Sequence, residues 1–131
     1  MAFLNCCAVG TVGLITAKNE LLPDLKAQKG AILVTSSFVE ATNLPKEAEE
    51  FVAGLGLAGY CAGKAAQCRL AQQITCTLAP DVYVGRVIVG GKVKGTAFDD
   101  GEAKIEPDTI AAAFWTLNEE RKENVTTVND P

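Results

Sequence analysis

Tyr60 and Lys64, in the run Tyr60-Cys61-Ala62-Gly63-Lys64, stand four residues apart. On a helix that spacing puts both on one face, where an ammonium can act electrostatically on a phenol and make it a usable proton donor. A free tyrosine has a pKa near ~10, so it exchanges a proton readily at neutral pH only with such help. Ser36 and Ser37 close the apolar run Gly30-Ala31-Ile32-Leu33-Val34-Thr35. Taken alone, the Tyr/Lys spacing more often marks a solvated helix face. The strand-like run and serines upstream give it chemical content.

The elements that must position these groups are legible on both sides. Val12, Ile15, Leu22 and Leu25 recur at helical spacing, with Lys18, Asn19, Asp24 and Lys26 between them, which predicts a helix with Pro23 late in it. Gly30 ends that helix, and the continuous apolar residues from Ala31 to Ser37 predict a strand covered on both faces. Phe38 to Leu55 is irregular: Asn43-Leu44-Pro45 reads as a turn and Lys46 to Glu50 as a short acidic helix in a surface excursion. A helix rich in Ala and Gly follows from about Leu57 to Leu78, closed by Pro80-Asp81. Val82 to Val89 predicts the second strand. Gly90-Gly91 opens a loop through Asp100-Gly101, Pro107-Asp108 opens a helix to about Glu120 with Ile110, Ala113, Phe114 and Leu117 on one face, and Val125 to Val128 makes a short last strand. The α-β-α-β-α-β order predicts an α/β fold with a parallel sheet and right-handed crossovers.

This succession, with Ser37, Tyr60 and Lys64 at their places in it, resembles the second half of the short-chain dehydrogenase/reductase superfamily. The resemblance implies a partial Rossmann-like three-layer fold of about three parallel strands with flanking helices, forming one domain over 1–131. The family's N-terminal dinucleotide-binding half, with the glycine-rich turn that holds the cofactor pyrophosphate, has no counterpart in this sequence. The implied activity is that of an NAD(P)-dependent oxidoreductase acting on a carbonyl/alcohol pair, with NADPH and NADH equally open. By resemblance, Tyr60 is the general acid/base, Ser37 holds the substrate oxygen, and Lys64 also binds the nicotinamide ribose. Gly90, Gly91 and Val93 match the segment where the family has Pro-Gly-x-Val-x-Thr folded around the nicotinamide, so Tyr60, Lys64, Gly90, Gly91 and Val93 are the expected cofactor contacts. A homodimer through the helices around 12–25 and 57–78 is implied as well.

The sequence departs from the family at three places, and one further motif needs a separate reading. Gly10 stands where the resemblance expects an asparagine that supports a water linked to the lysine. Gly90 stands for the proline, with Thr96 one place late. Ser37 and Tyr60 are 23 residues apart, nearly twice the usual separation, so an insertion lies between them, either looping out or capping the site. Gly54-Leu55-Gly56-Leu57-Ala58-Gly59 fits G-x-G-x-x-G but follows no strand, and reads as a flexible lead-in to the Tyr60 helix.

Composition bounds the alternatives. The chain has 131 residues, 48% apolar and 21% charged, with a net charge of −4 and no basic block, which argues against nucleic-acid binding. Five cysteines without a repeated spacing, and no histidine, predict free thiols in a reducing, cytoplasmic setting. A zinc site and histidine-dependent triads are disfavoured for the same reason. Cys68 and Cys76, with Cys61 on roughly the same side, read as buried small hydrophobes. Asn124-Val125-Thr126 is a glycosylation sequon without consequence in the cytosol. Met1 to Ala17 carries no charged side chain and predicts a buried helix in preference to a leader or membrane span. Two other functions fit the same residues: a non-catalytic remnant that dimerises through its helices, and a cofactor-free isomerase or cyclase using Tyr60 as acid with the insertion as lid. The strand from Ala31 to Ser37 is expected at an exposed sheet edge, which favours a homo-oligomer or a larger whole.

Overall fold

A computed structural model describes residues 2–131, with side chains from Leu4 onward. The elements in order are α1 (Ala2–Cys6), a π-helical turn (Cys7–Val12), α2 (Gly13–Ala27), β1 (Ala31–Ser37), a 3-10 turn (Phe38–Glu40), α3 (Lys46–Gly54), α4 (Ala58–Leu78), β2 (Tyr83–Val89), α5 (Pro107–Glu120) and β3 (Val125–Val128). The expected strands and helices are present with nearly the expected bounds. α3 runs four residues further than the acidic stretch suggested, because Phe51 and Val52 continue its helix and Val52 is buried.

The three strands are parallel in the order β1-β2-β3. β1 is an edge strand, as its place in the sequence predicted. Its pairing with β2 runs in step from Ala31 opposite Tyr83 to Ser37 opposite Val89, so both strands end together at their carboxyl ends. α2 and α4 cover one face and α5 the other, giving three layers. On the first face Ile74 and Leu78 of α4 pack on Val82 and Val84, with Leu14, Leu22 and Leu25 of α2 closing over them. On the α5 side Val87 is fully enclosed and Leu117 is buried. Proline at the first turn of α5 costs nothing, since that N–H has no helical partner.

The uncharged N-terminal stretch corrects one expectation. It is helical, yet it is not buried: Val9 is 80% and Val12 57% exposed. The residues of this helix that pack on the core are Leu14, Leu22 and Leu25, each only partly buried, and all lie beyond the π-helical turn. Among the described residues no helix is long and apolar enough to cross a membrane.

Candidate functional site

Ser37 ends β1, Tyr60 lies in the first turn of α4, and Lys64 lies one turn on. α4 can approach the sheet and α1 closely because its inner residues are small. Ala71 is fully buried, and a Cβ at Gly63 would lie 2.7 Å from the Cβ of Cys6. That contact sets α1 against the Tyr60–Lys64 face of α4.

The structure brings Ser37, Tyr60 and Lys64 together. The Lys64 ammonium lies 5.9 Å from the centre of the Tyr60 ring, a cation–π distance. It donates to the Thr35 carbonyl at 2.8 Å and to Oε1 of Gln67 at 3.1 Å. Nε2 of Gln67 in turn donates to the Gly10 carbonyl at 3.1 Å. Burial pushes the Tyr60 phenol above its ordinary pKa, the Ser37 hydroxyl works against that rise, and Cys6 and Cys61 add to it. The ammonium itself, over the ring, is engaged by Thr35 and Gln67. Burial also pulls Lys64 below its ordinary value, against the opposing influence of Glu40 and Cys6.

Gly90 and Gly91 follow directly on Val89, the register partner of Ser37, so the turn they form sits at the same end of the sheet as the serine. A Cβ at Gly90 would fall on Oδ1 of Asn129, and one at Gly91 on Oδ1 of Asp130. A side chain at position 90 would therefore displace the Asn129 side chain, which lies over this turn. Val93 is bridged to Ile105, and the ion pairs Lys92–Asp100 and Lys94–Glu106 close the loop below it. Thr96 spends its hydroxyl on the Val93 carbonyl at 2.8 Å. The Gly54–Gly59 run follows α3 rather than a strand and leads into α4, as expected from its setting.

Sequence reasoning missed a buried polar group beside the site. Arg86, in the middle of β2, pairs with Glu40 at 2.6 Å, their side chains 9% and 8% exposed. The same Nη1 lies 2.9 Å from Sγ of Cys68 and 3.5 Å from Oγ of Ser36. Cys68 is therefore no simple hydrophobe: burial pushes its thiol up and Arg86 opposes the rise. Cys76 is exposed. The only sequence signal for this group was an arginine inside an otherwise apolar strand. Through Glu40, Val39 and Val52 the insertion after Ser37 is anchored to the body, while Phe51 and Leu55 stay half-exposed on its outer side.

No family model matches the sequence, and no curated protein does. Solved structures are similar in fold. An apo SCOR enzyme from Clostridium thermocellum superposes with a TM-score of 0.75 at 19% identity, over 98% of this chain and 52% of that one. An alcohol dehydrogenase from the archaeon Thermococcus sibiricus, complexed with 5-hydroxy-NADP, superposes with a TM-score of 0.68 at 25% identity, over 97% of this chain and 52% of that one. The chain thus has the fold of the short-chain dehydrogenase/reductase superfamily, over about half the length of either of these structures.

Proposed function

We propose that this chain is the catalytic half of an NAD(P)-dependent oxidoreductase of the short-chain dehydrogenase/reductase type, acting on a small carbonyl/alcohol pair. The observation that carries the reading is the meeting of Ser37, Tyr60 and Lys64 beside the Gly90-Gly91 turn at one end of the sheet. The residues present suit the nicotinamide end of a cofactor. Lys64 has two of its three N–H donors engaged, leaving one for a ribose hydroxyl. The turn at Gly90, Gly91 and Val93 offers backbone groups to a carboxamide. NADPH and NADH are not distinguished by these residues, and the pyrophosphate would have to be held by groups other than these.

A bound nicotinamide supplies or accepts the hydride. The chain's own part is to hold the oxygen and move the proton. The Ser37 hydroxyl donates to the substrate oxygen, and Tyr60 gives that oxygen its proton in the reducing direction and takes it back in the other. Kept protonated by burial, Tyr60 rests in the form needed for carbonyl reduction. Lys64 supplies the nearby positive charge.

Titration of the purified chain with NADPH and NADH, read by nicotinamide fluorescence, tests the proposal. Saturable binding is expected, with turnover falling about 10²-fold or more in Tyr60→Phe. Failure to bind either cofactor would sink the reading of this chain as an oxidoreductase by itself. A second reading then gains ground: a non-catalytic chain that associates as a homodimer through the helices around 12–25 and 57–78. It draws on the apolar side chains of Leu4, Val9, Val12 and Ile15, which lie exposed along one stretch. Five free thiols suit a cytoplasmic setting for either.

A further inference from the structure

The hydrogen bonds around Lys64 reach beyond its own helix. Its ammonium donates to Gln67 Oε1, three residues on along α4, and Gln67 Nε2 donates to the Gly10 carbonyl, 57 residues earlier in the chain. Gly10 lies within the π-helical turn Cys7–Val12, where the amide of Gly13 bonds back to Ala8. A widened turn of this kind disturbs the regular bonding of a helix and frequently accompanies a functional site. The amide also packs on this position: a Cβ at residue 10 would be in van der Waals contact with Nε2 of Gln67, at 3.4 Å. Val9, Gly10, Thr35, Lys64 and Gln67 line one open cleft of about 290 Å³ beside the edge strand.

We propose that Gln67 is the positioning residue for Lys64, an amide strap that fixes the ammonium by tying it to the backbone of the π-helical turn. The inference rests on the functional reading above, in which Lys64 matters. Both ends of the amide are spent, the oxygen on the ammonium and the nitrogen on the Gly10 carbonyl. An amide bonded in this way passes a proton on only through its imidic acid form, which is costly. Gln67 therefore holds Lys64 without relaying protons, and proton return to Tyr60 must use the remaining donor of the ammonium. It also accounts for the tolerance of glycine at position 10, since what the strap needs there is a backbone carbonyl and room for the amide.

The strap can be tested without cofactor. Lys64 is followed by NMR of its side chain in the full chain, assigned by its loss in Lys64→Met, and the turn at residues 9–13 by amide hydrogen exchange. The other groups acting on Lys64, Glu40 from the 3-10 turn and Cys6 from α1, are unchanged throughout. In Gln67→Leu the ammonium loses an acceptor and should titrate about one unit lower, a tenfold change, while the turn exchanges about tenfold faster. In Gln67→Glu an acceptor remains but the donor to Gly10 is gone. Lys64 should then titrate no lower than in the parent while the turn still exchanges faster. A leucine variant in which either readout is unchanged overturns the proposal, because a strap loose at one end positions nothing. Should the leucine variant not fold, the glutamate variant decides alone, and an unchanged turn overturns it. Neither readout involves nicotinamide, so a failure to bind cofactor leaves this result standing by itself.

Discussion

Two polar groups meet α4 at neighbouring positions, Gln67 and Cys68, and are handled in opposite ways. Arg86, Glu40 and Ser36 are buried between α4 and the sheet against a partly buried Cys68, with the arginine's charge matched by a carboxylate at 2.6 Å. Ser37, Tyr60, Lys64 and Gln67 lie half-buried at the end of the sheet, with one ammonium donor uncommitted. The sealed group has its charges paired because an unpaired charge there could not be tolerated. The open group keeps unspent capacity because water can reach it. What separates framework from site in this fold is therefore less the residue types than burial and charge pairing: the arginine is matched by a carboxylate out of reach of water, although Glu40 Oε2 keeps no partner there, while the ammonium lies where water reaches it.

The largest effect should come from unbalancing the sealed group. Glu40→Gln leaves the Arg86 guanidinium buried with a neutral partner and should cost about 3 kcal/mol in urea unfolding. Replacing both residues, as Glu40→Leu with Arg86→Met, removes both charges and should recover most of that loss, because an apolar pair of similar volume needs no compensation. If the double variant is no more stable than the single, the charge pair is not what holds the insertion to the body.

Next in size is the seam that sets the open group in place. Gly63→Ala puts a methyl 2.7 Å from the Cβ of Cys6, forcing α1 away from α4, and should cost about 1–3 kcal/mol. Since α1 carries Cys6 toward Tyr60 and Lys64, the substitution should also move the Tyr60 side-chain resonances. Equal stability in the variant would show that α1 packs less closely than described.

The contrast between the two groups also explains which of them could be read from sequence. Tyr60, Lys64 and Ser37 were legible because their spacing falls on regular elements, where a helical turn or a strand end fixes direction. Strand and helix bounds were legible for the same reason, through Gly30, Pro80 and Pro107 at their limits. The Arg86–Glu40 pair joins residues 46 apart and depends on how an irregular insertion folds back, which no local period encodes. Gln67 was hidden similarly, because its meaning lies in a contact with a turn whose π-helical geometry is invisible in residue types. The reading of Met1 to Ala17 as a buried helix failed because absence of charge identifies an apolar segment but not which way it faces.

Titration separates the groups in a further way. The phenol of Tyr60 is held above the ordinary value of ~10, so its neutral form is favoured by the fold. The sign follows directly: that contribution is complete below the unfolded pKa and is lost as pH rises through the folded one. Tyr60→Phe should flatten the alkaline loss of stability and remove one of two late-titrating tyrosines at 295 nm, the other being Tyr83, which burial also raises. A Tyr60 that titrates at or below the ordinary value in the cofactor-free chain would mean that the nearby Lys64 charge outweighs burial.

The smallest expected effect bears on the insertion, which belongs to both groups: its start carries Glu40 and its end leads into Tyr60. Gly54 closes α3 and a Cβ there would meet nothing within 4 Å, whereas Gly56, also uncrowded, has a φ of +67° that disfavours a side chain. Gly54→Ala should therefore gain about 0.5 kcal/mol by restricting the unfolded chain, and Gly56→Ala should lose about 1 kcal/mol by strain. The pair isolates backbone conformation from packing, because neither added methyl has a neighbour to touch. If both substitutions are neutral, the linker between α3 and α4 has no fixed conformation in solution, and the insertion is then held to the body at the Glu40 end alone, free to move over Tyr60 as a lid would. Opposite signs would instead mean that α3 is fixed at both ends and that the approach to Tyr60 is set by a rigid wall.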